Sequence, residues 1–160
     1  MAATVEETNF ARTSRIIIDL CSNVLRDTLS RIIQPSQFST NNFLQSLPRR
    51  TKRPDQSQQN VLQQVEVTKS YNICDITLLY YLIRNICCSN PNSDPKYTPS
   101  QGWGNVPLNQ MEVKVGDDLE RIRNIRNHYL GHTVNAWITT NDFQQFIATV
   151  EPIFQRFDAL

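Results

Sequence analysis

The stretch Asp75 to Cys88, reading D-I-T-L-L-Y-Y-L-I-R-N-I-C-C, restricts the fold more than any other part of the chain. Ile76, Leu78, Leu79, Tyr80, Tyr81, Leu82, Ile83 and Ile86 leave it apolar on nearly every side, and a helix of that kind must be enclosed by others. A bilayer span takes roughly 20 apolar residues, so this stretch reads instead as the central helix of a bundle. Asp75 stands where a carboxylate takes free amide hydrogens and meets the positive end of the helix dipole. Capping therefore accounts for it better than catalysis.

The remaining periodicity is helical too. Between about Asn9 and Gln34, the residues Ile17, Leu20, Cys21, Val24, Leu25, Leu29, Ile32 and Ile33 recur at helical spacing, the mark of a long amphipathic helix. Pro35 follows its end, as suits a residue without a backbone donor, and a short helix is expected around Phe43, Leu44 and Leu47. The glutamine-rich piece Gln56 to Gln64 predicts a polar helix with Val61, Leu62 and Val65 facing inward. Thr139-x-x-Asp142 opens a last helix with Phe143, Phe146, Ile147, Val150, Ile153, Phe154 and Phe157 on one face, which Pro152 should kink. No stretch alternates as a β-strand does, so the expected architecture is an all-α bundle of four main helices plus one or two short ones.

A chain of 160 residues fits a single domain over residues 1–160, close to the usual domain size. Its net charge of +1 argues against a surface that is basic all over, so contact with nucleic acid must come from a local patch. One candidate is Pro48 to Asp55, where Arg49, Arg50, Lys52 and Arg53 lie between two prolines. That run fits a phosphate-contacting loop, a nuclear-import-like signal or a solvated connector. Cys21, Cys74, Cys87 and Cys88 make no C-x-x-C pair and have no histidines at zinc-ligand spacing, and the N-terminus lacks a signal-peptide pattern. The expectation is a reduced intracellular protein, cytoplasmic with nuclear entry left open, without membrane span, structural metal or cofactor. Between Ser89 and Val115, Pro91, Pro95, Pro99, Pro107 and Gly102-Trp103-Gly104 exclude a regular helix. Trp103 reads as the anchor of its own loop rather than a platform for stacking a base.

Groups that can hold or cleave a phosphate concentrate in Gly116 to Thr133, G-D-D-L-E-R-I-R-N-I-R-N-H-Y-L-G-H-T. Leu119, Ile122, Ile125 and Tyr129 form its apolar stripe, and Asp117 with Glu120 reads as a reciprocal cap at its start. Arg126 and His132 lie about 240° apart around a continuous helix and about 9 Å apart along it. They converge only if Gly131 ends the helix in the left-handed conformation and swings His132 back. Cleaving RNA through its own 2′-hydroxyl takes a base, an acid and a cation for the transition-state charge, and histidine with arginine fits without a metal. One of each is too few for all three roles, and a two-fold dimer would bring a second copy into the same cleft. The same residues also fit a site-free account, with Arg126 paired to carboxylates, Asn127 and His128 solvated, and His132 capping carbonyls at the helix end. Arg123 with His128 is a rival pair that spacing does not exclude.

The run Arg126-Asn127-His128-Tyr129-Leu130-Gly131-His132 resembles the Arg, four to six residues, His motif of HEPN domains (higher eukaryotes and prokaryotes nucleotide-binding). The likeness extends to Asp75–Tyr80 with Leu82–Asn85, to Gly102-Trp103-Gly104 with Pro107, to Asp118–Arg126, and to Asn9-Phe10, Arg12 and Asp19–Arg26 in the first helix. These blocks, in this order, are similar to the subfamily of the DAZ-interacting zinc-finger ubiquitin ligase. The resemblance implies a HEPN-like helical bundle that homodimerises through the motif-bearing helices and, in many HEPN families, metal-independent endoribonuclease activity. It makes Arg126 and His132 the catalytic pair with Asn127 beside them, choosing that register over Arg123/His128. Single-stranded RNA is then the expected substrate, with Arg123, Arg49, Arg50, Lys52 and Arg53 as candidate RNA contacts. It equally allows a non-catalytic dimerisation or protein-interaction module, and the chain as a piece of a larger signalling or ubiquitin-ligase protein.

Overall fold

The computed structural model describes residues 2–131 and 136–159, and among these every regular element is a helix. Helix α1 spans Val5–Arg15 and runs without a break through a π-helical segment, Ile16–Cys21, into α2, Ser22–Ile32. The π turn is wider than an α turn and shifts the helical register. It keeps Ile17 and Cys21 buried while carrying Leu20, expected to face inward, out to 47% exposure. Pro35 follows as expected, in a short 3₁₀ turn, Pro35–Gln37. Helix α3, Thr40–Ser46, buries Phe43, and α4, Gln56–Thr68, buries Leu62 and Val65 with Val61 half-buried.

Helix α5, Ile76–Ser89, is the central helix, and Asp75 Oδ1 accepts the Leu78 amide at 2.7 Å as its cap. It packs mainly on α2, with α6 on another side. Leu78, Leu79, Leu82, Ile83 and Cys87 are buried. The helix is not enclosed all round, however, because Tyr80 and Tyr81 are half-buried and Thr77 and Arg84 are exposed. Tyrosine makes this possible, since its ring packs while its hydroxyl reaches a polar partner.

Helix α6, Val115–Arg126, continues into a second π-helical segment, Asn127–Gly131, and α7, Thr140–Asp158, closes the chain along α1. Thr139 caps α7 through the Asp142 amide at 3.1 Å, and the helix runs continuously through Pro152. Asn9 lies buried where the start of α1 meets the start of α7: its side-chain amide reaches the Ile138 carbonyl, and the Ile138 amide reaches Glu6 O at 3.1 Å. Among the described residues no helix is long and apolar enough to cross a membrane.

The cysteines are packed thiols. Burial pushes Cys21 up to about 12 and Cys74 to about 11, and raises Cys87 and Cys88 as well. Since the thiolate is the reactive form, an aromatic disulfide reagent should label native protein slowly and only at Cys88, the exposed one, with the other three reacting after denaturation. Rapid native labelling of any buried cysteine, located by peptide mapping, would contradict this packing.

Candidate functional site

The first turn of α6 is built to hold a loop. At Gly116 an added Cβ would stand 2.5 Å from Pro99 N and 2.6 Å from the Thr98 carbonyl carbon, so only glycine allows the loop to lie against the helix. Fully buried Asp117 then ties it down, accepting the Ser100 amide at 2.6 Å, the Ser100 hydroxyl at 3.0 Å and the Lys114 amide at 3.0 Å. The expected cap is thus displaced by one turn. Asp117 closes back on Lys114, and Glu120 points into the protein. Overpacking of this kind costs typically 1–3 kcal/mol, so Gly116→Ala should lower the melting temperature by several degrees, a shift that scanning calorimetry reads directly.

Glu120, fully buried, receives Gly104 N at 2.9 Å, Arg123 Nε at 2.7 Å and the Tyr80 hydroxyl. Arg123 also donates to Gly104 O at 2.8 Å and lies over the Tyr80 ring. Trp103 packs edge-on against Tyr80, ring centroids 5.9 Å apart, and so anchors its loop. Burial and the bond to Glu120 push the Tyr80 hydroxyl's pKa up, which keeps it a donor. Asp118 is likewise enclosed, taking Arg121 Nη1 at 2.9 Å and two nitrogens of Arg156, Nε at 2.8 Å and Nη2 at 2.6 Å. The carboxylates of this helix are therefore consumed in holding the bundle and its loop together, and so are Arg121, Arg123 and Arg156.

Arg126 is different. Half-buried, it donates from Nη1 to Asn127 Oδ1 at 3.2 Å, and among the described residues no carboxylate pairs with it. The same nitrogen would stand 3.6 Å from a Cβ on Gly131, so the guanidinium folds over the residue just before His132. Gly131 itself lies inside the π-helical segment and not among the glycines of positive φ. The expected left-handed turn there is replaced by a widened helix, a form common at functional sites. His132 lies outside the described residues. His128, of the rival pair, is exposed, and its ring meets Tyr129 edge-on with centroids 4.6 Å apart.

Arg126 and Asn127 line a pocket of about 200 Å³ together with Leu25, Ile76, Thr77, Tyr80, Ile122 and Arg123. Mostly apolar walls with a few polar groups among them are the usual form of a small-ligand site. Over residues 26–158 the chain matches the family described as DZIP3/hRUL138-like HEPN. The chain belongs to this HEPN family. No curated protein and no solved structure matches it.

In this HEPN domain the basic run is a separate feature from the Arg126 end of α6. Arg49, Arg50, Lys52 and Arg53 are exposed, and the run is pinned to α5 where the Tyr81 hydroxyl donates to Lys52 O at 2.7 Å. Sequence reasoning missed that pin, and it missed Asp118 and Glu120 as the structural partners of Arg156 and Arg123. The density of charge in the 116–126 stretch signals ion pairing, but which charges are paired internally depends on contacts up to 38 residues away in the chain.

Proposed function

We propose that this HEPN domain binds single-stranded RNA and cleaves it without a metal, as a homodimer whose cleft combines Arg126, Asn127 and His132 from both protomers. The observation that carries the proposal is the spare charge of Arg126. Its neighbours Arg121 and Arg123 are each matched to a buried carboxylate, while among the described residues Arg126 meets the neutral amide of Asn127 and no carboxylate. A partly desolvated guanidinium without a carboxylate partner among the described residues suits an external anion, and phosphate fits its planar fork.

In the proposed reaction a histidine takes the proton of the ribose 2′-hydroxyl, whose oxygen attacks the adjacent phosphorus. The bond from phosphorus to the 5′-oxygen breaks, and the second protomer's histidine protonates that oxygen. The products are a 2′,3′-cyclic phosphate and a 5′-hydroxyl. Arg126 stabilises the charge on the non-bridging oxygens, and Asn127 holds the guanidinium in place. The exposed run Arg49, Arg50, Lys52 and Arg53 adds attraction for the backbone.

Purified protein should cut single-stranded RNA in the presence of a chelator and leave cyclic-phosphate ends. His132→Ala should abolish the cutting while light scattering still reports a dimer. A substituted protein that cuts equally well rules out His132, and a strict monomer rules out the shared cleft.

One observation favours a second reading, that of a protein-interaction module in a signalling or ubiquitin-ligase protein. Leu108 is 78% and Met111 86% exposed, on a loop held in shape by Glu112 and by the bond from Arg121 to Asn109 O. Leu108→Ser/Met111→Ser that leaves RNA cleavage intact but abolishes partner capture would assign the loop that role.

A further inference from the structure

The central helix keeps one face open, and that face leads away from the pocket beside Arg126. Ile76 and Tyr80 line the pocket. Arg84 lies one further helical step along, and Thr77 and Tyr81 flank the row. Residues four apart on a helix are neighbours, about 6 Å apart along the axis. Arg84 is exposed and close enough to the Tyr80 hydroxyl to oppose the rise in its pKa, and Arg53 acts in the same way on Tyr81. The loop carrying Arg53 is fixed there by the Tyr81 bond to Lys52 O. The acids bordering this face are already committed, Asp75 to the Leu78 amide and Glu120 to Tyr80, Gly104 and Arg123. The face therefore presents exposed Thr77, Arg84 and Arg53 beside two half-buried rings, Tyr80 backed by Trp103 and Tyr81 backed by Phe43, and carries no free carboxylate among the residues named.

That combination is what binds a single strand of nucleic acid, with bases on aromatic or apolar surfaces and phosphates on arginines. The pocket is small, apolar at its walls and polar only at Thr77, Arg123, Arg126 and Asn127. It suits one flat ring system with a phosphate at the mouth, and not a folded partner.

We infer that a single RNA strand runs along the open face of α5, lodging one base in the pocket walled by Leu25, Ile76, Tyr80 and Ile122, with its backbone on Arg126 at one end and Arg84 and Arg53 at the other. The inference rests on the proposal that the domain engages RNA, and adds where the strand lies and that one base is buried. Base burial places the scissile phosphate next to Arg126, because the nucleotide seated in the pocket cannot slide.

The test uses the whole chain and a short single-stranded oligonucleotide carrying 2′-O-methyl groups, which removes the nucleophile, with 4-thiouridine as photocrosslinker. Mass spectrometry should locate the adduct within residues 76–84, on or beside Tyr80. Arg84→Glu, at an exposed position, should weaken binding about tenfold or more, as expected for loss of a phosphate contact and its replacement by a repelling charge. Arg31→Glu, on a groove against α7, should leave binding within about twofold. Thr77→Trp, which closes the pocket mouth, should erase the adduct. If wild-type protein binds RNA but crosslinks elsewhere, or Arg84→Glu binds as well as wild type, the path is wrong and RNA engagement stands. If wild-type protein binds no RNA, engagement itself fails and the path falls with it. Should Arg84→Glu lose its helical signal, the wild-type adduct map alone decides.

Discussion

Asp118→Ala should destabilise this domain by about 3–5 kcal/mol. The estimate is that for removing one partner of a buried ion pair, where the cost is the charge left behind. Asp118 is 1% exposed and receives one guanidinium nitrogen of Arg121 and two of Arg156. Without it, two cations from α6 and α7 face each other, and among the described residues Arg121 keeps only the Asn109 carbonyl. For a chain of this size each kcal/mol is worth about 2–4 °C of melting temperature, so a drop on the order of 10 °C is expected. Arg156→Met should cost less, because Asp118 keeps Arg121 and Arg156 is one-third exposed. Equal effects of the two substitutions in urea unfolding would mean that the network holds α7 through Arg156 rather than through the buried carboxylate.

Arg126→Ala should behave in the opposite way, leaving the melting temperature nearly unchanged and removing about 100- to 1,000-fold of RNA cleavage, the usual cost of losing one group that stabilises developing charge. Arg126 has no carboxylate to strand among the described residues, and its one side-chain partner, Asn127, is half-buried beside it and neutral. A large loss of stability would instead place Arg126 among the structural arginines. Activity at the wild-type level in a folded Arg126→Ala protein would remove it from the site.

Helix content was legible because it rests on local periodicity. The buried sets of α4 and α6 follow from spacing at Leu62 and Val65 and at Leu119, Ile122 and Ile125. Caps were legible where one residue bonds an amide three positions on, as Asp75 and Thr139 do. The two π segments were not, since an i to i+5 bond leaves no residue-type signature, and so Leu20 and Gly131 were assigned conformations that the widened helix does not give them. At α6 the capping pattern was read three residues late. Asp117 and Glu120 satisfy the same box spacing as Lys114 and Asp117, and only the approach of Pro99 against Gly116 decides between them.

The site was legible as a cluster of charge and as a family motif, but not as a division of labour. Arg121, Arg123 and Arg126 look alike along the chain, and what separates them is Glu120 and Asp118 turning inward to meet two of them. The open face of α5 was hidden for a related reason. Tyr80 and Tyr81 count as apolar in a pattern, yet each spends its hydroxyl on a polar partner at the surface of the core.

The salt dependence of single-stranded RNA binding, measured by fluorescence anisotropy on wild type and Arg126→Ala, tests most directly whether the spare charge of Arg126 serves RNA. The logarithm of affinity should fall steeply with the logarithm of salt for wild type. For Arg126→Ala, with an unchanged melting temperature, the slope should be shallower by about one, the signature of one lost phosphate contact. Two lines of equal slope and equal affinity would show that Arg126 meets no phosphate, and would contradict the account.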